Sequence, residues 1–224
     1  MVVDIGTTSV SAVLISKKTG GGRRDKDEKI EILKVFRYPI RLFKYSLEEE
    51  KRLPLMLKDI FIKVFKDAAS VSTRIDHVLV ALADPFFLSK HMEKEFLRPS
   101  PETAIAKEET QKMLKGLEEE AAVGVKDKLL VAASRIGFVR VNGYDLDDAA
   151  GYKGRTLELG ADFTLVSASL KDYFEQAKDR YAPRSALVYY ADSDILLKTL
   201  RSTENLFEPV WVLDIGGEIT EVFR

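Results

Sequence analysis

Two short segments near opposite ends of the chain read alike: Val2-Val3-Asp4-Ile5-Gly6-Thr7-Thr8 and Val212-Leu213-Asp214-Ile215-Gly216-Gly217. Each is an apolar strand that runs into an aspartate, one further apolar residue and a glycine. A second strand pattern follows each turn, Val10 to Ile15 in the first case and Ile219 to Phe223 in the second. No other feature restricts the fold as much, because it asks for two matching strand-turn-strand corners far apart in sequence. Glycine after a strand opens backbone conformations closed to other residues and lets a ligand approach the main chain. Successive N–H groups in such a turn form a concave cradle for an anion, and threonine hydroxyls add donors. Phosphate suits that chemistry, and an aspartate at the edge of the cradle suits Mg²⁺, often through water. A single Asp-x-Gly is also an ordinary turn solution, since both residues are favoured there for backbone reasons. The duplication turns the reading toward a phosphate clamp, with Asp4, Gly6, Thr7 and Thr8 on one side and Asp214, Gly216 and Gly217 on the other. Asp4 and Asp214 are then the expected Mg²⁺-organising carboxylates.

The intervening pattern is of the α/β class. After the first two strands, Lys17 to Lys29 carries Gly20-Gly21-Gly22 and mixed charges without apolar period, as a long connection does. Ile30 to Phe36 supplies a third strand, and Leu47 to Ala69 an amphipathic helix. His77 to Leu82 reads as a short apolar strand, and Pro99-Ser100-Pro101 breaks the chain before a helix over Ala106 to Val123. Strands are expected at Lys128–Ala133, Ile136–Val141 and Arg155–Ser167, then a helix at Lys171–Tyr181, a strand at Ala186–Tyr190 and a helix at Asp192–Arg201. Asp192 and Asp194 stand at that last strand-to-helix junction. They are the weak catalytic candidates, since an acidic residue at a helix start is also an ordinary cap.

Composition removes several function classes. With 224 residues, 46% apolar and 32% charged, the chain can bury a core and is not of the disordered type. Lys+Arg of 35 against Asp+Glu of 36 leaves a net charge of −1, so no overall field draws nucleic acid, and none is expected as a partner. There are no cysteines and only two histidines, His77 and His91, which excludes thiolate metal sites and a His-rich zinc site. Neither histidine is assigned a role. No apolar run approaches the ~18 residues of a membrane span, and the opening residues show no secretory leader, so a cytoplasmic location is expected. The basic cluster Lys17, Lys18, Arg23, Arg24, Lys26 and Lys29 is interleaved with Asp25, Asp27 and Glu28 and reads as a solvated tip. Trp211, in the strand leading to Asp214, is expected in the core.

The paired turns resemble the two phosphate motifs of the actin-like ATPases, the superfamily of actin, Hsp70 and the sugar kinases. Within it the chain is similar to the cell-division protein FtsA, with the pilus-assembly protein PilM as the nearest relative. That finer likeness rests on Ile105-Ala106-Lys107-Glu108-Glu109 and on Gly151-Tyr152-Lys153-Gly154-Arg155-Thr156-Leu157-Glu158, which resemble the inserted domain of FtsA. The resemblance implies a ribonuclease H-like first large subdomain over 1–74 and 167–206, an inserted small α/β subdomain over 75–166, and the beginning of a truncated second large subdomain over 207–224. It implies ATP and Mg²⁺ as ligands, hydrolysis that is slow at most, and self-association through the inserted subdomain. It also implies a tubulin-like division protein and other division proteins as partners, at the inner face of the cytoplasmic membrane, through a C-terminal segment that this sequence does not contain. Ser11 stands where many relatives carry a basic residue, and Glu218 and Ile219 where the second motif has Gly and Thr. Those departures point to weak or absent nucleotide binding. The alternatives are therefore a PilM-like adaptor that binds a membrane protein's cytoplasmic peptide, and a nucleotide-free scaffold; a sugar kinase fits least.

Overall fold

The computed structural model describes residues 1–18, 29–40, 53–123, 129–204 and 210–223. It divides into two compact units, Met1–Phe87 with Ala168–Arg224, and Leu88–Ser167. Residues 19–28 of the connection expected over 17–29, and the start of the expected helix over 47–52, lie outside the described residues.

The first unit is built on a sheet of five strands in the order β3-β2-β1-β4-β9, comprising β1 (Val2–Ile5), β2 (Ser9–Lys18), β3 (Lys29–Pro39), β4 (His77–Leu82) and β9 (Ala186–Ala191). The first three strands form the antiparallel meander that their turn spacing predicts, and β1, β4 and β9 run parallel. Alternation along the strands sends Val3, Ile5, Val78, Val80 and Leu82 into the core, all with no exposed surface. Helices α1 (Leu53–Val71) and α3 (Ala168–Tyr181) carry the opposing apolar faces. Phe61 and Phe65 of α1 meet Phe174 of α3 edge to face, with ring centroids 4.8 and 5.3 Å apart. Helix α4 (Asp192–Glu204) follows β9 directly and has no fully buried residue.

The sequence-based boundary between the first subdomain and the insert, placed at residue 75, moves to 88. Strand β4 pairs in register with both β1 and β9, so it is a central strand of the first sheet and not part of the insert. The hairpin of β10 (Val212–Ile215) and β11 (Thr220–Phe223), expected to open a separate subdomain from 207, falls within the first unit. Among the described residues its two strands pair only with each other. Its outer edges are therefore unpaired among the described residues, and Trp211 is 72% exposed where a core position was expected.

The second unit is a four-stranded sheet in the order β5-β8-β6-β7, made of β5 (Leu88–Leu97), β6 (Leu129–Val141), β7 (Tyr144–Leu146) and β8 (Thr156–Ser167). Helix α2 (Lys107–Ala122) lies against it, burying Leu117 and Ala121 with Leu157, Leu159, Ala161, Phe163 and Leu165 of β8. The two strands expected at 128–133 and 136–141 are one long strand with two bulges. Strand β5 was not anticipated. Its inward positions are Lys90, Met92, Lys94 and Phe96, and the lysines mask the alternation. Their stems cover apolar surface while their ammonium groups reach α2, Lys90 Nζ to the Ala121 carbonyl at 3.2 Å and Lys94 Nζ to Glu120.

Arg98, only 8% exposed, ties this unit together. Its guanidinium donates to both carboxylate oxygens of Glu109 at 3.0 Å, to the Thr103 carbonyl at 3.1 Å and to the Gly154 carbonyl at 3.0 Å. Glu109 Oε1 in turn accepts from the Ala106 N–H at the start of α2. Gly154 admits no side chain, because a Cβ there would lie 2.3 Å from Val141 Cγ1. The Gly151–Glu158 stretch is thus explained by the packing of its own unit. Truncation by Arg98→Ala leaves Glu109 and two carbonyls without their donor and should destabilise the second unit by about 2 kcal/mol, read as a lowered urea midpoint.

Candidate functional site

Residues Ile5, Leu82 and Ala191 are register partners at the ends of the three parallel strands. The chain leaves all three strands at the same edge, so Gly6, Ala83 and Asp192 emerge side by side. In open sheets this carboxyl edge of parallel strands is where ligands are received. The second hairpin approaches the same place. A Cβ on Gly217 would lie 2.1 Å from Thr8 Cγ2 and 2.7 Å from Thr8 Oγ1, so only glycine permits the two turns to meet this closely. The Asp84 N–H, in the loop after β4, donates to Glu221 Oε1 at 3.2 Å and holds β11 to that loop.

The turns match in geometry as well as sequence. Gly6 N–H donates to the Ser9 carbonyl at 3.0 Å, and Gly216 N–H donates to the Ile219 carbonyl at 3.0 Å. Asp4 faces Ser11 in the first hairpin as Asp214 faces Glu221 in the second. Between them lies a cavity of about 440 Å³. Every residue expected in the clamp lines it: Asp4, Gly6, Thr7, Thr8, Asp214, Gly216 and Gly217. Asp192 lines it too, whereas Asp194 is not among the lining residues.

Two details differ from the sequence reading. The N–H groups of Gly6 and Gly216 close their own turns, so those glycines shape the cradle and do not donate into it. Among the described residues the N–H groups of Thr7, Thr8 and Gly217 have no backbone acceptor, and they are the available donors. Besides Asp214, the second hairpin presents Glu221 to the cavity, whereas Glu218 is not among the lining residues. Arg37, Asp84 and Glu221 were not expected in this site. Glu221 is one cross-strand step from Asp214 and Arg37 two steps from Asp4 through Ser11, and only the register reveals them.

The cavity is electrostatically strained. Burial raises the Asp4 pKa to about 6, helped by the charges of Asp192 and Asp214 and opposed by Arg37. Burial likewise raises Asp192, with Asp214 adding to it. Glu221 is raised by burial and by Asp84, Asp192 and Asp214, against the Asp84 N–H bond that favours its ionised form. Carboxylates that oppose one another around a cradle of donors suit a bound cation and a bound anion together. Among the described residues no three acidic or histidine side chains are close enough to ligate a metal directly. The donor set fits a hydrated Mg²⁺ better than a bare one.

No protein-family model matches the chain, and no curated protein sequence matches it. Among solved structures the chain is similar to a PilM-PilN type IV pilus biogenesis complex, at 14% identity and a TM-score of 0.56. The chain has the fold of the actin-like ATPases. The likeness covers 98% of this chain and 56% of that one, so the present chain spans little more than half of its structural neighbour. No described helix is long and apolar enough to cross a membrane.

The strain predicts a pH signature. Because the folded pKa of Asp4 lies above its ordinary 3.8, the folded state holds that proton more tightly than the unfolded state. Its contribution to stability is complete below pH 3.8 and is lost as pH rises through about 6. Asp4→Asn should raise the urea midpoint at pH 7 and flatten its dependence across that window.

Proposed function

We propose that this chain is a nucleotide-binding scaffold with an actin-like fold, in which the two Asp-Ile-Gly turns clamp the phosphates of Mg²⁺·ATP. The meeting of Gly217 with Thr8 across one carboxylate-lined cavity carries this reading. Thr7, Thr8 and Gly217 offer N–H groups, and the two threonines offer hydroxyls, to phosphate oxygens. Asp4 and Asp214 would hold Mg²⁺ through water, which neutralises phosphate charge and relieves the repulsion among the carboxylates. Asp192, at the start of α4, is the side chain placed to orient a water, and Asp194 drops back to a helix-terminus role. Hydrolysis, on this reading, is slow at most, and the nucleotide serves as a conformational ligand.

The finer role follows one of two lines. FtsA-like residues in the second unit favour a scaffold at the inner face of the cytoplasmic membrane that self-assembles and links a tubulin-like division ring to it. The PilM-PilN likeness favours an adaptor that holds a short cytoplasmic peptide of a membrane protein in a pilus or secretion assembly. Pulldown with division-ring polymer against such a peptide separates the two.

The shared claim is tested by calorimetric titration of Mg²⁺·ATP into the full chain. Binding should be lost in both Asp4→Ala and Asp214→Ala. A folded wild-type chain that binds no Mg²⁺·ATP contradicts the proposal and leaves the nucleotide-free scaffold.

A further inference from the structure

Five carboxylates line the cavity, Asp4, Asp84, Asp192, Asp214 and Glu221, and among the described lining residues Arg37 is the one cation. A polyphosphate entering such a space meets like charge on most sides, so a fixed cation has a large effect on its binding. Arg37 stands in register with Ser11, and Ser11 with Asp4. The three residues form a single row across β1, β2 and β3. The neighbouring positions, Ile5, Val10 and Tyr38, form the adjacent row, and all are buried. Alternation therefore turns the Asp4-Ser11-Arg37 row away from the core. Arg37 Nε donates to Ser9 Oγ at 3.3 Å, and Ser9, only 7% exposed, belongs to the first turn itself. Among the described residues the guanidinium has this hydroxyl as its hydrogen-bond partner and no carboxylate within ion-pair distance. Its two terminal nitrogens remain available to the cavity.

We propose that Arg37 is the phosphate-binding cation of this site: strand β3 presents it beside the first turn, Ser9 steadies its Nε, and its terminal nitrogens take two phosphate oxygens as a fork. The planar fork matches phosphate geometry in a way a lysine ammonium does not. The ligand class is a polyphosphate, with nucleoside triphosphate and free tripolyphosphate sharing the same chemistry. This inference rests on the nucleotide reading above, and its test is built to fail separately from it.

Calorimetry on the full chain with Mg²⁺·ATP and Mg²⁺·tripolyphosphate, for wild type, Arg37→Ala, Arg37→Lys and Asp4→Ala, provides that test. Arg37 is exposed on an edge strand, so its truncation should leave the chain folded with only a small fall in the thermal melting midpoint. Arg37→Ala should weaken both ligands by about tenfold or more, in parallel, and Arg37→Lys should recover part of the loss. If Arg37→Ala binds both ligands as wild type does while Asp4→Ala does not, the role assigned to Arg37 is overturned and the nucleotide reading stands. If ATP weakens but tripolyphosphate does not, Arg37 does not act on phosphate and the inference is again overturned. If folded wild type binds neither ligand, the inference and the nucleotide reading fall together.

Discussion

The in-register parallel pairing of β1, β4 and β9 is the constraint on which the rest of the site depends. Because Ile5, Leu82 and Ala191 end together, the first turn, the Asp84 loop and the head of α4 are delivered to one edge without any further device. The core secures that register. Val3 and Ile5 sit against Val80 and Leu82 with no exposed surface, and a slip of β1 by one residue would turn Val3 and Ile5 outward and Asp4 inward. The glycine at 217 then sets how near the second turn comes. It is one of few positions where the absent Cβ is required by another part of the chain, since the obstacle is the side chain of Thr8.

Electrostatically the cavity works against the fold. Asp4, Asp192, Asp214 and Glu221 repel one another within a space that burial already makes unfavourable for charge. The second unit shows the opposite arrangement. On its sheet, Asp162 lies between His91 and Arg135 at 2.6 and 2.8 Å, and Arg140 bonds Asp145 and stacks on Phe138. These charges have opposite partners, whereas around the two turns like charges gather. Stability is given up at the place where a ligand would restore it, as is common at binding sites.

Much of this was readable from residue order. The meander, the strands at His77–Leu82 and Ala186–Tyr190 without their parallel pairing, and the two turns follow from short apolar runs and from Gly placement, which are local signals. The clamp residues needed only the recognition that two distant hexapeptides match. What was missed is non-local. Arg37 and Glu221 belong to the site through cross-strand register. Strand β5 hid because Lys90 and Lys94 occupy inward positions, which a hydrophobic alternation does not detect. The boundary of the insert fell too early because an apolar strand such as β4 carries no mark of which sheet it joins. Trp211 was placed in the core from its position in the run leading to Asp214, and the hairpin that follows it has no described partner strand.

In the proposed clamp both turns grip one ligand. Backbone amide NMR of the full chain, titrated with Mg²⁺·tripolyphosphate, addresses it directly. The amides of Thr7, Thr8 and Gly217 should shift together, with one saturation curve and one apparent Kd, while those of Gly6 and Gly216, already bonded within their turns, respond less. A response confined to one turn, or two turns that titrate with different midpoints, would contradict the clamp.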